Sequence, residues 1–185
     1  MANQVRVSFE VYPPRDQDSG ESLESSIIEL ATMDPTFISV TFGAGGSSTK
    51  NSLEVLKFIL KNTQASALAH LTCVGHSFLE TKALVNQFMD EGISDFLALR
   101  GDPQPGMPVE PKGELKTSSE LVQLISQVHK DRGNTRSDLN VAVATFPNGH
   151  PDSDSIAQDI QALLAKQNAG ADYAITQLFF YAADY

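Results

Sequence analysis

Five side chains of complementary chemistry stand at the ends of short apolar runs in this chain. Glu10 ends VRVSFE, Thr41 ends FISVT, His70 ends ALAH, Asp102 follows FLALRG, and Gln177 sits in YAITQLFF. A carboxyl group can give or take a proton, and an ionised carboxylate can stabilise a developing cation. An amide donates and accepts together, which suits the edge of a heterocycle. These residues are far apart in sequence, so only a fold that brings strand ends to one rim could make them a site.

The elements between them have that character. Apolar strand patterns cover Val5 to Val11, Phe37 to Phe42, Ala67 to Thr72, Asp95 to Leu99, Leu139 to Thr145 and Asp172 to Phe180. In the first, Val5, Val7, Phe9 and Val11 alternate with Arg6, Ser8 and Glu10, and Pro13-Pro14 stops the ladder. Helical spacing predicts helices over about Ser19–Met33, from Ser47 or Ser48 to Lys61, Ser77–Met89, Thr117 or Ser118 to His129, and Asp154–Asn168, the last ending at Gly170. Strands about thirty residues apart with helices between them require parallel pairing and right-handed crossovers. The pattern leaves an open doubly wound α/β sheet or a (β/α)8 TIM barrel truncated after about strand six, in which chemistry gathers at the strand C-terminal ends. The whole of residues 1–185 reads as a single, partial barrel domain.

Composition excludes several classes. The hydrophobic share of 41% suits a packed core, and the net charge of -10 argues against nucleic acid, which requires a basic surface. No apolar stretch approaches the ~20 residues of a membrane span, and the N-terminus lacks a signal-peptide apolar region. Cys73 is the single cysteine, so no internal disulfide forms, in keeping with a cytoplasmic setting.

Each candidate has a functional and a plain reading. Glu10, beside Phe9, Val11 and Tyr12, would be a proton donor raised by desolvation, or else a strand-end carboxylate in water or paired with Arg6 or Arg15. Arg100 could hold a phosphate and Asp102 a developing positive charge; the alternative is a simple Arg-Asp ion pair. His70 is a rim residue or a satisfied core histidine, and Cys73 a small buried hydrophobe. No metal is expected, because His70, Cys73 and His76 would leave a site half-built. Gly43-Ala44-Gly45-Gly46 is a tight βα turn whose amides could cradle an anion. The long Gly101–Lys116 loop is a working or disordered loop. Asp159 and Lys166, seven apart, share one helical face and by themselves look solvated.

The segments SFEVYPPR, FISVTFGAGG, AHLTC, ALRGDPQPG, ATFPNGHP and AGADYAITQLFF, in this order from Val5 to Phe180, resemble the methylenetetrahydrofolate reductase family. The resemblance implies a (β/α)8 barrel that holds FAD and passes hydride from NADH or NADPH to methylenetetrahydrofolate, in one-carbon metabolism serving methionine synthesis. It implies Glu10 as the catalytic acid and Asp102 as the group that favours the cationic intermediate, with both and Gln177 contacting folate. It places Thr41, Phe42, Ala44, His70, Arg100, Gly101, Asp102, Ser118, Phe146, His150, Asp159 and Lys166 at flavin-contacting positions. Phe42 and Phe146 stand where many members have tyrosine. The family's last two βα units are not in this sequence, so exposed sheet edges, weak FAD binding and little turnover are expected of this polypeptide. A homo-oligomer is expected of a full-length member, and an inactive fragment or paralogue that acts by binding a partner is the alternative function.

Overall fold

The computed structural model describes residues 5–14, 16–42, 49–102 and 114–184. Ala44, the capping candidates Ser47 and Ser48, Arg15 and most of the Gly101–Lys116 loop lie outside the described residues. In chain order the elements are β1 (Phe9–Val11), α1 (Gln17–Ala31), β2 (Phe37–Val40), α2 (Thr49–Asn62), β3 (Ser66–Thr72), α3 (Phe78–Asp90), β4 (Asp95–Leu99), α4 (Ser118–Asp131), β5 (Asn140–Thr145), α5 (Ile156–Asn168) and β6 (Tyr173–Thr176). The six strands form one sheet in the order β1-β2-β3-β4-β5-β6. A doubly wound sheet reverses its strand order at a switch point. This order never reverses, which removes that alternative and matches the first six units of a singly wound barrel.

Contacts divide the chain into two compact units, Met1–His70 with Asp90–Asp95, and Leu71–Met89 with Phe96–Tyr185. In the first unit β1 pairs parallel with β2, Glu10 opposite Ser39 and Val11 opposite Val40, and β2 pairs parallel with β3. Asp16 caps α1 through a capping box with Ser19, which satisfies N–H groups that the first turn leaves open. Ser52, Leu53, Val55, Leu56 and Ile59 form the buried stripe of α2, the three-and-four spacing of a helix lying on a sheet. They join Ile27, Ile38, Val40, Leu68 and Ile93 in the core.

In the second unit Thr117 and Glu120 make a capping box at α4. The Glu120 carboxylate accepts from Lys116 N at 2.7 Å and Thr117 N at 2.8 Å, and these bonds hold its pKa below the usual range. Phe88, Phe96, Leu121, Ile125, Leu139 and Val141 form the core. β5 pairs parallel with β6 from Ala142 opposite Tyr173 to Thr145 opposite Thr176. At the opposite end of this pair, the Arg136 guanidinium donates to Leu139 O, to Gly170 O at 2.8 Å and to Asp172 at 2.8 Å. Asp172 also accepts from Val141 N at 2.7 Å, so one carboxylate ties the loop before β5 to the start of β6.

Two boundaries differ most from the sequence pattern. Residues 5–8 are not strand and Val5 and Val7 are exposed; Val7 O accepts from Thr36 N at 2.8 Å, but the paired ladder with β2 begins at Phe9 opposite Ile38. The last strand stops at Thr176, where the ladder with β5 also stops. α5 has no buried residue, Ile156 is 73% exposed, and beyond β6 Phe180 is 84% exposed. Among the described residues, nothing covers these apolar faces.

Candidate active site

The first unit carries the acid end of the arrangement. Alternation along β1 turns Phe9 and Val11 to the face opposite Glu10. Val11 is buried while Glu10 is exposed, so the desolvation expected from its apolar neighbours is not what surrounds it. Instead the Thr41 hydroxyl, one residue past β2, donates to Glu10 Oε1 at 3.0 Å. His70 lies inside β3 rather than at its end and is only 6% exposed. Burial pushes its pKa below the usual histidine value, and the negative charge of nearby Glu10 pulls partly against that.

This burial fixes a pH dependence. The unfolded chain binds a proton at His70 as pH falls through about 6.5, while the folded chain resists it until lower pH. Stability therefore falls as pH drops below that point and does not depend on His70 above it. One group contributes at most about 1.4 kcal/mol per pH unit. Urea denaturation of wild type and His70→Gln at several pH values should give a flatter curve for the variant below pH 6.5. Parallel curves would show that His70 titrates alike in both states.

The second unit carries the cationic end. Arg100, just past the end of β4, forms an exposed ion pair with Asp152 at 3.5 Å, so among the described residues its carboxylate partner is Asp152 rather than the Asp102 of the plain reading. Such an exposed pair contributes little and can yield to another anion. The Arg100 carbonyl accepts from Cys73 N at 3.3 Å and Val74 N at 2.9 Å. Gly101 follows with φ +84°, and a Cβ there would lie 2.7 Å from Val74 Cγ1 and 2.9 Å from Thr72 Cβ. Asp102 beyond it is exposed. Cys73 is buried as expected, its thiol pushed up to about 11 by burial, which makes it unreactive.

The loop after β5 is tied to α5. Asp159, in the first turn of α5, accepts from His150 N at 3.1 Å and from the Ser153 hydroxyl. These bonds, the Ser153 hydroxyl first, hold its carboxyl below the usual range. The His150 ring stands edge-on to Phe146 at 4.6 Å, and its Nδ1 accepts from Asp152 N at 3.0 Å. A neutral His150 therefore carries its proton on Nε2. Lys166 donates to Ala144 O at 2.7 Å, and burial lowers its pKa against the pull of Asp159. Lys166 thus faces the end of β5 and Asp159 the loop after it, and both are half-buried, where their plain reading had a solvated face. Ser118, the first residue of α4, is buried, Phe42 is half-buried, and Gln177 is exposed with its N–H on Thr145 O at 2.7 Å.

The structure thus joins Glu10, Thr41 and His70 in one unit, and Arg100, Phe146, His150, Asp159 and Lys166 through linked contacts in the other. Sequence reasoning missed Asp152 and Ser153. The signal was present in the polar run before Ser155, where a helix start needs side-chain acceptors for its open N–H groups.

A parallel βα sheet whose strand order never reverses defines a barrel-type α/β architecture. A family model, described as methylenetetrahydrofolate reductase, matches residues 1–185. The chain belongs to the methylenetetrahydrofolate reductase family. It is 36% identical over 177 residues to 5,10-methylenetetrahydrofolate reductase of Escherichia coli, covering 96% of this chain and 56% of that protein. It is 31% identical to methylenetetrahydrofolate reductase (NADH) 1 of Arabidopsis thaliana, covering 96% of this chain and 31% of that protein. Among solved structures, oxaloacetate acetylhydrolase superposes with a TM-score of 0.67 at 12% identity, over 98% of this chain and 61% of that one, a likeness of fold alone. The chain spans little more than half the length of its bacterial relative.

Proposed function

We propose that this chain carries the acid and the cofactor-holding residues of a flavin-dependent methylenetetrahydrofolate reductase. The reaction converts 5,10-methylenetetrahydrofolate to 5-methyltetrahydrofolate at the expense of NADH or NADPH, within one-carbon metabolism that serves methionine synthesis. The family match over residues 1–185 carries this reading. The Arabidopsis relative is named for NADH, which supports a nicotinamide reductant here without choosing between the two.

The donor set of the second unit suits FAD. Arg100 is always charged, His150 presents Nε2–H, and the Lys166 ammonium has three N–H donors, of which Ala144 O takes one. These three would hold the diphosphate. Thr41, Phe42, Ala44, His70, Gly101, Ser118, Phe146 and Asp159 would complete the surroundings of the cofactor. Bound flavin supplies the hydride carriage between nicotinamide and folate. Glu10 supplies the proton that lets the five-membered ring of the folate open, Asp102 sits by the positive charge that results, and Gln177 reads the pterin edge. The active protein is a cytoplasmic homo-oligomer.

The test is direct. Purified protein is mixed anaerobically with FAD, NADH or NADPH, and then methylenetetrahydrofolate. With FAD in large excess to offset weak binding, the expected results are slow bleaching of the flavin spectrum by the nicotinamide, its partial return with folate, and a small yield of methyltetrahydrofolate in the mass spectrum. Protein that takes up no FAD even at saturating concentration and forms no methyltetrahydrofolate overturns the proposal.

A further inference from the structure

Thr41 and Glu10 meet across the β1–β2 pair although they lie 31 positions apart. The Thr41 backbone is fastened on two sides, its N–H donating to Val11 O at 3.1 Å and its carbonyl accepting from Ser52 Oγ at 2.9 Å. A β-branched side chain on so fixed a backbone has little χ1 freedom. Its hydroxyl reaches two acceptors, Glu10 Oε1 at 3.0 Å and Val11 O at 3.4 Å.

Among the described residues, the charges around Glu10 leave this hydroxyl the main task. β2 supplies no titratable group at this point, and Arg6, on the segment before β1, is exposed. β3 supplies His70, which burial keeps neutral near neutral pH. A neutral imidazole gives the carboxylate no ion pair.

The geometry points to Thr41 as a positioning residue for Glu10, its hydroxyl turning between the carboxyl group and Val11 O as Glu10 loses and gains its proton. An ionised carboxylate only accepts, so Thr41 donates to it. A protonated carboxyl donates to Thr41 Oγ1, whose own hydrogen then turns to Val11 O. The carboxyl group thus keeps one position in both states, which an acid that must give a proton and recover it requires. The assignment rests on the proposed acid role of Glu10.

The experiment separates the two ideas. Side-chain rotamers of Glu10 are read from three-bond NMR couplings in ligand-free protein for wild type, Thr41→Ser and Thr41→Val. One dominant χ1 is expected in wild type and in Thr41→Ser, and averaging over several in Thr41→Val. Folate reduction by Thr41→Val should then fall about tenfold in kcat with KM nearly unchanged, and Thr41→Ser should recover most of it. Unchanged Glu10 rotamers in Thr41→Val, or a serine variant no better than valine, would overturn the inference whatever the reaction. Altered rotamers in a protein that does not reduce folate would leave the positioning intact and remove the proposed function.

Discussion

Glu10→Gln should lower the rate of folate reduction by about a hundredfold to ten-thousandfold, the usual contribution of a positioned general acid. Reduction of the flavin by NADH or NADPH should stay within about threefold of wild type, because hydride transfer from nicotinamide needs no proton from this residue. Glutamine keeps the length of the side chain and an oxygen that can accept from Thr41, so the 3.0 Å contact survives. The proton is what is lost. Stopped-flow measurement of the two half-reactions at saturating FAD decides the matter. An equal fall in both would assign Glu10 to binding or folding and not to proton delivery.

The second large effect is on stability. Gly101→Ala combines two penalties. Its φ of +84° is a left-handed conformation, which costs an L side chain roughly 1–2 kcal/mol. A Cβ 2.7 Å from Val74 Cγ1 and 2.9 Å from Thr72 Cβ adds overpacking against a branched side chain and against a Cβ fixed to its own backbone, worth about 1–3 kcal/mol. The sum of roughly 2–5 kcal/mol corresponds to a fall in Tm of about 5–15 °C for a chain of this size. Gly133 is the control, since its φ is +77° but nothing lies within 4 Å of an added Cβ. Gly133→Ala should therefore show the backbone penalty alone. Calorimetry giving the two variants the same Tm would mean that the strand-end segment moves aside freely. The displacement expected in Gly101→Ala would also shift Arg100, whose carbonyl receives Cys73 N and Val74 N.

Much of the fold can be read from local sequence. β4 runs over Asp95–Leu99 as its apolar run predicts, and α4 starts at Thr117 because a threonine followed three residues later by Glu120 closes a capping box. Where the reading went astray, it overestimated strand length. The alternation of Val5 and Val7 continues that of β1, and Val7 O accepts from Thr36 N at 2.8 Å, yet the paired ladder with β2 begins only at Phe9 opposite Ile38. The apolar run after Thr176 reads as strand for the same reason and ends with its pairing. An alternating pattern reports which way side chains point, not how long the neighbouring strand is.

The site divides along the same line. The sequence by itself determined the repeating βα order, the cap of α4, the family and the residue types at the strand ends, because these depend on neighbours within one turn or one pleat. Tertiary structure alone decided that Glu10 meets Thr41, that Arg100 meets Asp152, that Asp159 bonds to the loop after β5 and that Lys166 turns in to the end of β5. Each of those pairings joins groups whose meeting depends on strand register, on where a loop closes or on how a helix sits against its strand. The hydrogen-bond geometry that results tolerates only a few tenths of an ångström, a precision that no local pattern encodes.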